Sequence, residues 1–186
     1  MTGIRLHGRG GQGAVVASKI LANAYFSRNF YVQAFPSFGM ERKGAAVAAF
    51  VRRDRTPIVA RGEITAPDTV VVLDPTLLQM IDVTRGLTPG GLILLNWSGP
   101  VDPAPLDGDF RLAAVNAARI ALDFGLGSRL SPIVNTVILG ALAMADPDLE
   151  LDALLAAIRD GVPVKPEENA AAARAAFEAA TWIKGD

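Results

Sequence analysis

Two short runs along the chain carry no polar residue at all, and they set the reading of everything around them. Val70-Val71-Val72-Leu73 ends at Asp74-Pro75, and Leu92-Ile93-Leu94-Leu95 lies between Gly90-Gly91 and Asn96. Apolar runs of this length, rich in branched side chains and closed by turn residues, predict strands buried on both faces, as in a parallel sheet. Arg111 to Val115 reads as a further strand after a proline-rich connection (Pro100, Pro103, Pro105). Near the start, Gly3 to His7 alternates apolar and polar positions, and Gly13 to Ser27 has good helix formers and no proline. Phe30 to Phe35 is a second strand stopped by Pro36, and Pro36 to Gly44 is a loop by its proline and glycines. Ala45 to Arg52 alternates as a strand, with Pro57 to Ala60 set against it across the polar turn Arg53-Asp54-Arg55-Thr56. Helices are expected over Thr76–Val83, Ala117–Phe124, Ile133–Ala145, Leu151–Asp160 and Glu167–Ile183. Buried strands alternating with helices predict a single α/β domain over residues 1–186. It is Rossmann-like and three-layered, with a mostly parallel, partly mixed sheet and C-terminal helices.

Composition narrows the chemistry. There is no cysteine and one histidine, His7, among the 186 residues. Disulfides, thiolate nucleophiles, cysteine-rich zinc sites and four-cysteine iron–sulfur clusters are therefore excluded from this chain, and no metal site is expected on it. The longest charge-free apolar stretch, Leu130 to Ala145, is interrupted by Ser, Pro, Asn and Thr and falls short of the roughly 20 residues a membrane span needs. No export signal is visible either, because Arg5 and Arg9 stand where its apolar core would be, so a cytoplasmic, membrane-free protein is expected.

The net charge of −1 hides a division: through Gly62 there are ten basic residues and two acids, and beyond it eight basic and seventeen acidic. A basic N-terminal third suggests an anionic ligand or an acidic partner surface, or simply a solvated basic face. Nucleic acid is not expected, since the basic residues form no stripe and have no interleaved aromatics.

The candidate chemistry centres on Gly8-Arg9-Gly10-Gly11-Gln12-Gly13, which follows a strand and opens a helix. Glycines there permit positive φ and close backbone approach, and the helix start adds about half a positive charge, so the turn is a candidate phosphate cradle. As a nicotinamide fingerprint it is incomplete. The acid that would hold a ribose about 20 residues on is missing, and the second strand ends Val32-Gln33-Ala34-Phe35. Lys19 stands six residues past Gly13, about 9 Å up the helix, with a side chain that tilts back toward the turn. Lys19 reads equally as a solvated helix position, Arg9 as one half of a salt bridge, and His7 as a satisfied polar contact at the strand end.

Taken together, several blocks resemble the gamma subunit of the 2-oxoacid:acceptor (ferredoxin) oxidoreductases. They are His7 to Ala14, Tyr31 to Ala45 with its Phe38-Gly39-Met40-Glu41-Arg42-Lys43 loop, Pro67-Asp68, Leu73-Asp74, Asn135-Thr136 and Leu139-Gly140-Ala141, in the family's order across nearly the whole chain. Lys43 stands where the family often has arginine, which keeps the charge but loses the bidentate fork. The resemblance implies a subunit of a larger enzyme, inactive alone. Thiamine diphosphate and Mg would lie on alpha and beta partner chains, and iron–sulfur clusters on a ferredoxin-like partner. The overall reaction would be oxidative decarboxylation of a 2-oxoacid to an acyl-CoA. It further implies that Gly8, Arg9, Gly10, Gly11, Gln12, Gly13 and Lys19 hold the phosphates of coenzyme A. Phe38, Gly39, Glu41, Arg42 and Lys43 would then face the thiamine-binding chains as interface or substrate-channel residues. A self-contained NAD(P)-binding oxidoreductase and a non-catalytic scaffold subunit are the competing readings.

Overall fold

The structure, a computed structural model, describes residues 1–37, 44–99, 106 and 108–185. The first strand, β1 (Thr2–Arg9), leads through the glycine-rich turn into helix α1 (Ala14–Phe26), followed by β2 (Tyr31–Pro36) and β3 (Ala46–Asp54). The two apolar runs form β4 (Thr69–Val72) and β5 (Gly91–Asn96), every residue of which is buried. Then come β6 (Phe110–Val115), α2 (Ala117–Asp123), the ribbon strands β7 (Gly127–Ser128) and β8 (Ser131–Pro132), α3 (Val137–Ala145), α4 (Leu151–Gly161), α5 (Pro166–Ala179) and β9 (Thr181–Lys184). Seven strands make one sheet in the order β2-β3-β1-β4-β5-β6-β9. The centre, β1-β4-β5-β6, is parallel; at its flanks β3 pairs antiparallel with β1, β2 antiparallel with β3, and β9 antiparallel with β6. The mixed α/β sheet expected from the sequence is thus present.

Alternation along the strands sorts the side chains into two layers. Ile4, Leu6, Val51, Val71, Leu73, Leu92 and Leu94 enter the larger core with the helices. Val70, Val72, Ile93, Leu95 and Leu112 face the opposite side, where Leu78, Ile81, Val83 and Leu87 from connecting segments cover them. The alanines of α5 have a packing role. Ala170, Ala172, Ala173 and Ala176 are buried, and α3 comes so close that a Cβ on Gly140 would stand 1.8 Å from the Ala173 carbonyl oxygen.

Four element expectations are corrected. Pro57 to Ala60 forms no strand, because both edges of β3 are already taken, by β2 (Gln33 opposite Arg52) and by β1 (Gly3 opposite Arg52). The helix expected over Thr76–Val83 is only a 3-10 turn, Pro75–Gln79, capped by Asp74. An Asx turn in which the Asp82 carboxylate accepts from the Thr84 N–H and hydroxyl redirects the chain beyond it. The helix expected from Ile133 begins at Val137, because Ser131 and Pro132 belong to the ribbon. The last helix stops at Ala179, and Thr181, Trp182 and Lys184 of the β-branched and aromatic segment that follows pair instead with the open edge of β6, with an irregularity at Ile183.

The topology places the site. The chain leaves β1 toward β2 and β3, then returns to β4 on β1's other side. The carboxyl edge between β1 and β4 is therefore the point where the sheet order turns, the position at which open α/β sheets collect ligands.

Candidate functional site

At that edge the turn after β1 opens α1. Gly11 and Gly13 have φ of +96° and +80°, in the left-handed region that L side chains rarely adopt. Nothing would obstruct a Cβ at Gly11, whereas one at Gly13 would meet the Asn135 amide nitrogen at 2.4 Å. Helix α1 has no side-chain cap and no acid in its first turn, so its leading N–H groups are left for solvent or a ligand. The turn that precedes them borders a cleft of about 330 Å³ lined by Gly11, Gln12, Gly13, Leu73, Asp74 and Asn96, with the ribbon around Leu130 and the Ile133–Asn135 segment as its far wall.

The turn is held by one carboxylate. Asp74, at the end of β4, accepts from Arg9 Nε at 3.0 Å and Gln12 Nε2 at 2.9 Å on one oxygen, and from the Thr76 N–H and hydroxyl on the other. Gln12 closes the loop by accepting the Arg9 backbone N–H at 2.7 Å. Burial alone would raise the Asp74 carboxyl, but the Thr76 and Gln12 hydrogen bonds and the Arg9 charge outweigh it and hold it below the usual carboxylate range. Asn96, buried at the end of β5, donates to the Leu73 carbonyl and accepts from the Ala118 N–H, tying the next strand to α2.

The expected site residues divide accordingly. Gly11, Gln12 and Gly13 line the cleft. Gly8 is buried behind the turn, and Gly10 exchanges backbone hydrogen bonds with the segment past the loop, its N–H to Ala45 and its carbonyl from Gly44. Arg9 is not among the residues lining the cleft and donates to Asp74, to the Gly44 carbonyl and to the Thr76 hydroxyl. Lys19 is exposed on α1 and is not among the residues lining the cleft. Phe38, Gly39, Glu41, Arg42 and Lys43 lie outside the described residues. Sequence reading missed Asp74, Asn96 and Asn135 as site residues. The first two close the apolar strand runs at the carboxyl edge, a signal that points to a ligand edge once the strands are known to be parallel.

The N-terminal excess of positive charge is largely consumed inside the molecule. Arg53 pairs with Asp146 and Asp148, and Arg28 with Glu150. Arg5 and Arg52 are both buried, and they donate to backbone carbonyls of the segments crossing their sheet face. No lysine or arginine lines the cleft among the described residues, while Asp74 does, so the groups there that could draw an anion are backbone N–H groups and the helix dipole. His7 is no satisfied contact: its Nε2 is buried without a partner. Burial, and then the neighbouring Arg5 charge, push its imidazole down to about 4, which keeps it neutral near pH 7.

Comparison with known proteins bears on this arrangement. The family described as pyruvate ferredoxin/flavodoxin oxidoreductase matches residues 3–179. Pyruvate synthase subunit PorC of Methanothermobacter thermautotrophicus is 47% identical over 179 residues, covering 96% of this chain and 95% of that protein. The pyruvate/ketoisovalerate oxidoreductases common subunit gamma of Pyrococcus abyssi is 48% identical, covering 96% of each. Among solved structures, pyruvate oxidoreductase subunit PORC of Thermotoga maritima superposes with a TM-score of 0.82 at 32% identity over 98% of both chains. The same fold recurs, at 22% identity and a TM-score of 0.73, within 30% of the chain of the 2-oxoglutarate:ferredoxin oxidoreductase from Magnetococcus marinus, a structure with 2-oxoglutarate, coenzyme A and succinyl-CoA bound.

Proposed function

Because the chain belongs to the pyruvate ferredoxin/flavodoxin oxidoreductase family, as a subunit of the gamma type, we propose that it supplies the coenzyme A side of a thiamine-diphosphate-dependent 2-oxoacid oxidoreductase. The assembled enzyme converts a 2-oxoacid and CoA to an acyl-CoA and CO2 and passes the electrons to ferredoxin or a similar acceptor. The observation that carries this reading is the uncapped α1 start behind two positive-φ glycines, opening on a cleft at the carboxyl edge. A diphosphate fits such a cradle because the N–H groups need an acceptor and the dipole favours negative charge. In this role the Asp74–Gln12–Arg9 network keeps the turn in its left-handed form, and the turn orients the ligand so that its thiol reaches the reacting acyl group. Thiamine diphosphate, Mg and iron–sulfur clusters belong to partner chains; without cysteine this chain has no thiolate to hold a cluster. Phe38, Gly39, Glu41, Arg42 and Lys43 are assigned to the face that meets the thiamine-binding chains. No helix among the described residues is long and apolar enough to cross a membrane, and the complex is placed in the cytoplasm.

An NAD(P) site is disfavoured by the strand order as well as by the missing acid. β3 lies between β1 and β2, so the end of β2, from which a ribose-binding acid would act, is two strands away from the turn.

Purification of this chain from its native host under mild conditions tests the reading. It should bring down thiamine-binding and cluster-bearing chains with CoA-dependent 2-oxoacid oxidation. A monomer that oxidises substrate with NAD(P) by itself would overturn it.

A further inference from the structure

The sheet ends on two unlike edges, β2 and β9. β9 is four residues long, carries Lys184 and skips a residue against β6, and a short, charged, irregular edge resists further pairing. β2 has none of these protections. It pairs with β3 in unbroken register from Tyr31 to Pro36, and Tyr31-Val32-Gln33-Ala34-Phe35 holds no charged residue. Among the described residues no strand lies on its outer side.

The ladder to β3 defines which backbone groups this edge presents. The Ser37 N–H donates to the Ala48 carbonyl at 2.8 Å, and antiparallel pairs alternate between bonded and unbonded. Tyr31, Gln33 and Phe35, opposite Asp54, Arg52 and Phe50, therefore commit their N–H and carbonyl groups to β3. Val32 and Ala34 turn theirs outward, together with the Pro36 carbonyl. Pro36 has no N–H, and at the other end the Phe30 N–H is taken by the Tyr25 carbonyl at 3.2 Å. The open row thus has Val32 and Ala34 as full donor–acceptor stations, bounded on both sides by residues that offer no donor.

We propose that this edge pairs with the same edge of a second copy of the chain, antiparallel about a two-fold axis at Gln33. Val32 then stands opposite Ala34 of the second copy, each donating to and accepting from the other, and the symmetry repeats the exchange on the far side of Gln33. Pro36 falls opposite Phe30, so no N–H is left over. Moving the axis to Ala34 sets Val32 against Pro36, and moving it to Val32 sets Ala34 against Phe30; either shift strands a carbonyl in both copies. The side chains favour the same register. Val32 and Ala34 pack toward the helical core, which puts Tyr31, Gln33 and Phe35 on the other face. There Tyr31, 51% exposed, comes opposite Phe35 of the second copy. Phe35 is stacked on Phe50 at 5.3 Å and borders an open hollow of about 580 Å³ with Gln33, Ile58 and Val59. Aromatic cross-strand pairs of this kind add to the association. The two parallel centres run in opposite directions in such a dimer, so the glycine turns open at opposite ends and both clefts stay free.

The chain has no cysteine, so a single introduced thiol reports the pairing. Gln33 faces its own copy in a non-hydrogen-bonded pair, with Cα atoms about 4.5 Å apart, a span a disulfide bridges. In the full chain under mild oxidation, Gln33→Cys should cross-link nearly to completion. Leu130→Cys, at a residue 99% exposed in the ribbon, should not. Sedimentation should give the wild-type chain twice its 19.5 kDa. Ala34→Pro removes an N–H that only the second copy uses, so its circular dichroism should match wild type while the dimer dissociation constant rises about tenfold or more. A wild-type chain that stays monomeric at about 100 μM, as it would if a strand of a different subunit covers the edge, would overturn the assignment. So would a dimer indifferent to Ala34→Pro, or Gln33→Cys chains that cross-link no faster than Leu130→Cys chains. If Ala34→Pro fails to fold, the two cysteine variants decide the question by themselves.

Discussion

Arg53→Met is expected to destabilise the protein by on the order of 3–5 kcal/mol. Arg53 and Asp146 are 7% and 9% exposed in their side chains, and Arg53 Nη2 reaches both Asp146 oxygens at 3.0 and 3.1 Å. Nη1 continues to Asp148, and the guanidinium lies over the rings of Tyr25 and Phe30 at 4.7 and 5.0 Å. The Tyr25 hydroxyl donates to Asp146 Oδ2, and burial, reinforced by the Asp146 charge, pushes the phenol well above its ordinary pKa. These contacts join β3 to the end of α3, and so the sheet's flank to the helical layer. Removing the cation leaves a buried carboxylate supported only by a tyrosine hydroxyl and the Asp148 N–H, which is why the loss exceeds that of a surface pair several-fold. In a domain of this size the melting temperature should fall by about 10 °C or more. Arg53→Met combined with Asp146→Leu should recover part of the loss, because a buried pair replaced on both sides leaves no orphan charge. A single-variant loss under about 1 kcal/mol in urea titration would show that the pair is not desolvated.

The largest expected functional effect belongs to Gly13→Val. At φ +80° an L residue costs about 1–2 kcal/mol, more for a branched one. The new Cβ would also stand 2.4 Å from Asn135 Nδ2 and 3.0 Å from its Cγ. The strain has two ways out, rotation of the turn or displacement of Asn135, and both move the N–H groups away from a bound diphosphate. In the assembled enzyme KM for CoA should rise at least tenfold, equivalent to about 1.4 kcal/mol. Electron transfer from the 2-oxoacid measured without CoA should stay within twofold. A change in the CoA-independent step of the same size would assign Gly13 to assembly instead.

What could be read from the sequence depended on how far apart the cooperating residues lie. The runs Val70–Leu73 and Leu92–Leu95 announce themselves as buried strands because periodicity is local, and the glycine pattern lies within six residues. Asp74 acts on Arg9 and Gln12 from 65 and 62 residues away, and only the parallel register that sets His7 beside Val72 brings them together. Asn135 meets the turn from 122 residues off. The bonds of Arg9 to Asp74 and Thr76 are likewise hidden, because the carboxylate is invisible as its partner until β1 and β4 are paired. The placement of β3 between β1 and β2 was equally hidden, since the alternation of Ala45 to Arg52 is satisfied by any neighbour. β9 was masked by the alanine-rich helix before it, whose propensity carried the expected helix past its end.

The central claim, that the N–H groups opening α1 receive the phosphates of coenzyme A, is tested most directly by amide hydrogen exchange on the assembled oxidoreductase. Addition of saturating CoA should slow exchange over Gly11 to Val16, with no such change on adding the 2-oxoacid alone. Unchanged exchange across those residues while CoA saturates the enzyme would contradict it.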